Sequence, residues 1–209
     1  PGDDPNVLVA MNPAALKADL HRLEPGGTVI VNEDAFEERN LEKAGYLDAG
    51  GTPVNPLDDN TLNGYRVLKV PMSSLTKKVC EPLGVKPRDA ERSKNFFALG
   101  LVSWMYTRPT EPTEEWIHEK FGKNEKVAAA NKAAFQAGFN FGETTEAVGH
   151  RFEVRPAQLP AGEYTSITGN TALSWGLIAA GQQADLPLTL GSYPITPASD
   201  ILHELSKHK

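Results

Sequence analysis

The run Asn6-Val7-Leu8-Val9-Ala10-Met11 is continuously apolar after its first residue and too short for a helix. Such a run predicts a strand covered on both faces, as in a parallel sheet. A helix signal follows at once: Asn12 as cap, Pro13 in the first turn, Leu16, Leu20 and Leu23 at helical spacing, and Pro25-Gly26-Gly27 as the stop. Thr28-Val29-Ile30-Val31 reads as a second buried strand, which closes a compact βαβ unit with a right-handed crossover. A short helix is expected over 34–46, a Gly/Pro/Asp/Asn-rich surface excursion over 48–64, and a third strand at 65–70. Helices are then predicted over 73–83, 88–106, 113–121 and 124–141, the last rich in alanine and stopped by Gly142. Alternating strands and helices place this half in the doubly wound α/β class.

From Glu143 to Thr168 the pattern breaks down, with Gly149, Pro156, Pro160 and Gly162 interrupting it and only Phe152-Glu153-Val154 hinting at extended structure. This stretch reads as an interdomain connection. The rhythm restarts with a helix over 170–184, a strand over 186–190 and a helix from Pro197 onward. Both ends read as cut, because one strand and two helices cannot bury their own apolar faces.

Charge narrows the classes. A net charge of −6 without a run of basic residues lacks the electrostatic footprint of a nucleic-acid binder or of a protein that binds anionic membranes. No apolar stretch is long enough to suggest a membrane span, and a cytoplasmic location is expected. The single cysteine, Cys80, cannot by itself hold an iron–sulfur cluster or a tetrahedral zinc, and reads as a small buried apolar residue.

The most informative stretch is the loop Gly191-Ser192-Tyr193-Pro194-Ile195-Thr196-Pro197, which follows the predicted strand 186–190 and opens a helix. It therefore falls at the carboxyl end of a strand, where open α/β sheets place their ligands. Thr196 is expected as the N-cap and Pro197 as the first helical residue, leaving free N–H groups and one hydroxyl aimed at a common point that suits a small carboxylate. The plainer alternative is ordinary capping chemistry at a helix start.

Tyr193-Pro194-Ile195-Thr196-Pro197, followed by Ala198-Ser199-Asp200, closely resembles the signature of the pyrimidine-binding domain of 2-oxoacid:ferredoxin oxidoreductases. Upstream, Gly169-Asn170-Thr171-Ala172 with Gly176, Ala179, Ala180 and Gly181 resembles the opening helix of the same domain. More loosely, residues 1–145 resemble the gamma-type domain of that family through Asn95, Leu99-Gly100 and the helix from Asn131 to Gly138. The resemblance implies a gamma-type domain at 1–145 lacking its N-terminal glycine-rich part, a linker at 146–168, and the start of the alpha subunit's pyrimidine-binding domain at 169–209. A fused order of this kind is that of the 2-oxoglutarate branch.

The implied activity is reversible oxidative decarboxylation of 2-oxoglutarate on thiamine diphosphate, with acyl transfer to coenzyme A and ferredoxin as electron acceptor. The resemblance also implies a beta subunit, a heterotetrameric assembly, and thiamine diphosphate with Mg²⁺ and a 4Fe–4S cluster held mainly by that subunit, none by this fragment alone. Thr196 would donate to the substrate carboxylate or to the cofactor-bound species.

The chain departs from the family in lacking a Gly-Gly-Gln-Gly turn, and it ends before the glutamate that activates the aminopyrimidine. Pyruvate or another 2-oxoacid, a Rossmann-type dehydrogenase, and a non-catalytic assembly module stay open as alternatives, the second disfavoured by the absence of Gly-x-Gly-x-x-Gly after a strand. Among other candidates, His21, His118, His150, His203 and His208 lack metal-ligand spacing. Trp104, Trp116 and Trp175 read as core or interface, and Lys17, Arg66, Arg88 and Arg92 read as solvated charge rather than phosphate ligands for coenzyme A. Tyr193 is expected to pack the loop.

Overall fold

β1 (Val7–Ala10), β2 (Thr28–Asn32) and β3 (Arg66–Val70) form one parallel sheet in the order β1-β2-β3, with Leu8 opposite Val29 and Val29 opposite Val67. The structure, a computed structural model, describes residues 5–145 and 151–208. The first part of the expected linker, 146–150 with His150, lies outside the described residues. β1 and β2 read as unbroken apolar runs because both their faces are covered, whereas β3 at the edge alternates, with Arg66, Val67 and Lys69 exposed. Ile30 points into a cluster with Leu68, Val70, Met72, Phe97 and Leu101, whereas Val29 and Val31 meet Ala10, Leu16, Leu23 and Leu41 on the other face. Each such side chain contributes about 1.5–3 kcal/mol when fully buried.

α1 (Pro13–Asp19) starts as expected, with the Asn12 Oδ1 accepting the Ala15 N–H at 2.9 Å. α2 (Glu38–Ala44) ends at Gly45 in the left-handed region (φ 71°), where the missing side chain removes the steric cost. Lys17 Nζ donates to the carbonyls of Ala44 and Gly45 at 3.0 and 2.7 Å, so this cation caps α2.

α3 (Met72–Cys80) takes its cap from the end of the neighbouring strand. Asn32 Oδ1 accepts the Ser73 N–H at 3.3 Å and its Nδ2 donates to Ser73 Oγ at 3.1 Å. Asp34 accepts the Ser74 N–H at 2.7 Å and the Ser74 hydroxyl at 2.9 Å. Two side chains about 40 positions upstream thus satisfy N–H groups that a helix start leaves orphaned.

α4 (Pro87–Met105) and α6 (Glu125–Thr145) cross almost backbone to backbone, with α5 (Glu111–Phe121) between them in sequence. A methyl on Gly100 would land on the Phe135 carbonyl, and one on Gly138 on the Phe97 carbonyl. Gly142 does not stop α6 as expected; the helix continues to Thr145. A Cβ there would come within 2.6 Å of the Trp104 ring, so this glycine serves close packing and not termination.

The chain divides into two compact units, Pro1–Pro156 and Ala157–Lys209. In the first, the connector residues pack onto the end of α4: Phe152 N–H donates to Met105 O at 2.7 Å, and Arg151 lies 5.1 Å over the Trp104 ring. The extended segment hinted at Phe152–Val154 therefore joins no sheet.

The second unit consists of α7 (Gly169–Ala184) and α8 (Ser199–Ser206), joined by irregular chain. Thr168 caps α7 through its hydroxyl, and Trp175 Nε1 donates to Glu204 on α8 at 3.0 Å. The strand expected at 186–190 does not form. An apolar run becomes a strand only beside another strand, and the described residues of this unit provide none. Accordingly Leu173, Leu186 and Leu188 are exposed, and Ser174 is the buried residue of α7.

Candidate functional site

The loop 191–198 shapes the candidate site, and its backbone corrects the capping expectation. α8 begins at Ser199 with Ala198 as its N-cap, so Thr196 is not the cap and Pro197 is not the first helical residue. Thr196-Pro197-Ala198 forms a turn ahead of the helix, and the Thr196–Pro197 peptide bond is cis. Within that turn the Ser199 N–H donates to Ile195 O and the Asp200 N–H to Pro197 O, each at 3.1 Å. Backbone carbonyls therefore use N–H groups expected to stay free for a carboxylate.

The Thr196 hydroxyl remains. It is exposed and takes part in no hydrogen bond among the described residues. Tyr193 does not pack the loop as expected: it is 80% exposed, and Ile195 is 57% exposed. Pro194 and Pro197 are exposed with them. The loop is tied back by Asn170, whose Nδ2 donates to Pro197 O at 3.0 Å. Sequence reasoning missed this contact, since Asn170 stood out only as part of an opening-helix pattern.

Three clefts lie away from the loop. One of about 770 Å³ lies against α5 and α6, lined by Glu111, Glu114, Glu115, Glu119 and Glu125 with His118 and Lys132. Lys132, with Gln136, holds the Glu114 carboxyl below the usual range, and Lys132 pairs with it at 2.8 Å. Clefts of about 370 and 520 Å³ beside α7 are lined by Trp175, Ile178, Gln182 and Leu188 among others, but not by residues 191–197. Residues 191–197 of the loop are all exposed.

The other candidates have local roles. Trp104 is core, Trp116 packs tilted against Phe96 and edge-on against Phe121 beneath Lys120, and Arg66, Arg88 and Arg92 are exposed. Cys80 is buried, and burial pushes its thiol pKa up. In the second unit Glu204 is held down to about 2 by hydrogen bonds from Lys207 first, then Trp175 and His208. Among the described residues no group of three or more His, Cys, Asp or Glu side chains stands close enough to hold a metal ion, and no helix is long and apolar enough to cross a membrane.

Comparison with known proteins agrees with the fold. Residues 1–141 match the model of the pyruvate ferredoxin/flavodoxin oxidoreductase family. Over 208 residues the chain is 56% identical to 2-oxoglutarate oxidoreductase subunit KorA of Mycobacterium tuberculosis, covering all of this chain and 31% of that subunit. It is 27% identical over 145 residues to subunit alpha of 2-oxoacid:ferredoxin oxidoreductase 2 of Aeropyrum pernix, covering 69% of this chain and 22% of that one. Among solved structures, 2-oxoglutarate:ferredoxin oxidoreductase from Magnetococcus marinus, with 2-oxoglutarate, coenzyme A and succinyl-CoA bound, superposes with a TM-score of 0.67. That match is 26% identical and covers 99% of this chain and 30% of the other. The chain thus spans less than a third of the length of these relatives. With a parallel α/β unit of matching topology and a family match over most of its residues, the chain belongs to the pyruvate ferredoxin/flavodoxin oxidoreductase family.

Proposed function

We propose that this chain is part of the alpha subunit of a cytoplasmic 2-oxoglutarate:ferredoxin oxidoreductase, with a gamma-type domain at 1–145, a linker at 146–168 and the start of a pyrimidine-binding domain at 169–209. The observation that carries the reading is 56% identity, across the whole chain, to a 2-oxoglutarate oxidoreductase subunit. The complete enzyme decarboxylates the 2-oxoacid, passes two electrons to ferredoxin and transfers the acyl group to coenzyme A, in either direction. A beta subunit completes it as a heterotetramer and holds the 4Fe–4S cluster and the diphosphate with its Mg²⁺.

Thiamine diphosphate, when bound, supplies the carbanion stabilisation that decarboxylation needs. This chain's own contribution is orientation. The Thr196 hydroxyl, with no partner among the described residues, donates a hydrogen bond to the substrate carboxylate, while Tyr193, Pro194 and Ile195 shape the approach to it. Steady-state reduction of methyl viologen by the complete enzyme tests the reading, with 2-oxoglutarate and pyruvate compared at saturating coenzyme A. A higher kcat/KM for 2-oxoglutarate is expected; a preference for pyruvate, or turnover independent of coenzyme A, overturns it.

A further inference from the structure

α7 begins on a fixed base. The Thr168 hydroxyl accepts the Thr171 N–H, the Thr168 carbonyl accepts the Ala172 N–H at 2.9 Å, and the fully buried Ser174 donates its hydroxyl to the Asn170 carbonyl at 2.8 Å. From that base the half-buried Asn170 side chain reaches across 27 positions to the carbonyl of Pro197. A carbonyl oxygen only accepts, so the amide nitrogen must face it. Among the described residues this is the only hydrogen bond from α7 to residues 191–198.

The same Pro197 carbonyl also accepts the Asp200 N–H in the first turn of α8. One oxygen therefore ties the first turn of α7, the loop and the first turn of α8 together. Pro197 directly follows Thr196, and its ring removes φ as a degree of freedom. With the carbonyl held, little freedom beyond its own rotamer is left to the Thr196 hydroxyl. Among the described residues the other tie on this turn comes from the start of α8, where the Ser199 N–H and hydroxyl both reach the Ile195 carbonyl, while the Tyr193 and Ile195 side chains are turned to solvent.

We infer that Asn170 is a positioning residue for the 2-oxoacid reaction, holding the Thr196 hydroxyl in register with the substrate carboxylate through the Pro197 carbonyl. The inference rests on the function proposed for Thr196 and adds to it a residue that touches neither substrate nor cofactor. It separates from a helix-capping role by sign. Asn170→Asp keeps the size of the side chain and puts a negative charge in the first turn of a helix, which favours the helix, yet a carboxylate cannot donate to Pro197 O and repels it. A structural role predicts an unchanged or raised melting temperature with full activity; a positioning role predicts the same stability with reduced activity.

The test uses the complete enzyme carrying Asn170→Asp, Asn170→Ala, Thr196→Val, or Asn170→Ala with Thr196→Val. Expected are a roughly two- to tenfold fall in kcat/KM for 2-oxoglutarate in both Asn170 variants, an unchanged KM for coenzyme A, and a melting temperature of Asn170→Asp no lower than the parent's. The double variant should be no slower than Thr196→Val alone, because the two side chains act in series. Parental kcat/KM in either Asn170 variant beside an impaired Thr196→Val removes the positioning role and leaves the proposed function standing. Losses that multiply in the double variant, or that follow a drop in melting temperature, also overturn it. Parental turnover by Thr196→Val removes the proposed role of the hydroxyl itself, and this inference with it.

Discussion

Replacing Gly100 with alanine puts a methyl where α4 and α6 touch through their backbones. The nearest atoms are the Phe135 carbonyl and, at 2.9 Å, the Phe139 nitrogen, neither of which can rotate away as a flexible side chain would. A carbon and a carbonyl oxygen normally stay about 3.3 Å or more apart, so the helices must separate. Overpacking of this kind costs about 1–3 kcal/mol, and a backbone neighbour puts Gly100 at the upper end. Alanine returns about 1 kcal/mol of helix propensity, leaving a net loss of about 2 kcal/mol. At roughly 2–4 °C per kcal/mol for a chain of this size, the melting temperature should fall by about 4–8 °C. Thermal unfolding followed by circular dichroism measures it, with Leu99→Ala as the control. Leu99 is one residue earlier and 41% exposed, and its truncation should cost less than about 1 kcal/mol. If Gly100→Ala melts at or above the parental temperature, the close crossing is not a constraint on α4 and the reasoning fails.

Thr196→Val in the complete enzyme should lower kcat/KM for the 2-oxoacid by roughly tenfold to 150-fold, the worth of a hydrogen bond to a charged group. Because Thr196 does not cap α8, the melting temperature should not move; a loss of stability without a loss of rate would contradict both statements. The folded pKa of Glu204, about 2, lies below the ordinary carboxylate value of about 4.3, so its contribution to the α7–α8 contact is complete above pH 4.3 and disappears as pH falls toward 2. Fluorescence of Trp175 in a background with Trp104 and Trp116 replaced by Phe should report this, and an identical profile in Glu204→Gln would refute it. Brief proteolysis of the native full-length protein should cut first within 157–168, where every residue is exposed, and earliest cuts inside 70–140 would refute the division proposed here.

The parts of the fold legible in the sequence are those fixed by neighbours close along the chain or by burial on both faces. β2 shows as an apolar run because Val29, Ile30 and Val31 are all buried, β3 shows by its alternation of buried Leu68 and Val70 with exposed neighbours, and Asn12 announces α1 because its side chain bonds only three residues ahead. Leu186–Leu190 carries the same apolar signal without a strand to pair with among the described residues, and pattern alone does not distinguish the two cases. Gly142 was misread because a glycine near a helix end and a glycine under a tryptophan ring look the same in sequence. In the loop, Thr196-Pro197 reads as a cap and first helical residue, whereas the turn at 196–198 lets backbone carbonyls satisfy the N–H groups first. The Asn170 contact joins positions 27 apart and leaves no periodic trace.

The clip from Asn32 and Asp34 to Ser73 and Ser74 bears on how this domain can vary. Together with the β2–β3 ladder it fixes β3 and the start of α3 beyond the 48–64 excursion, while Lys17 holds the end of α2 just before it. The entropy of closing a flexible loop grows only with the logarithm of its length, so doubling the excursion would cost about 0.6 kcal/mol. That is a small fraction of what the buried face of one valine or leucine contributes. At its exposed positions, away from the buried Leu62, this stretch can therefore lengthen, shorten or acquire a new surface element while the sheet edge beneath it keeps its register.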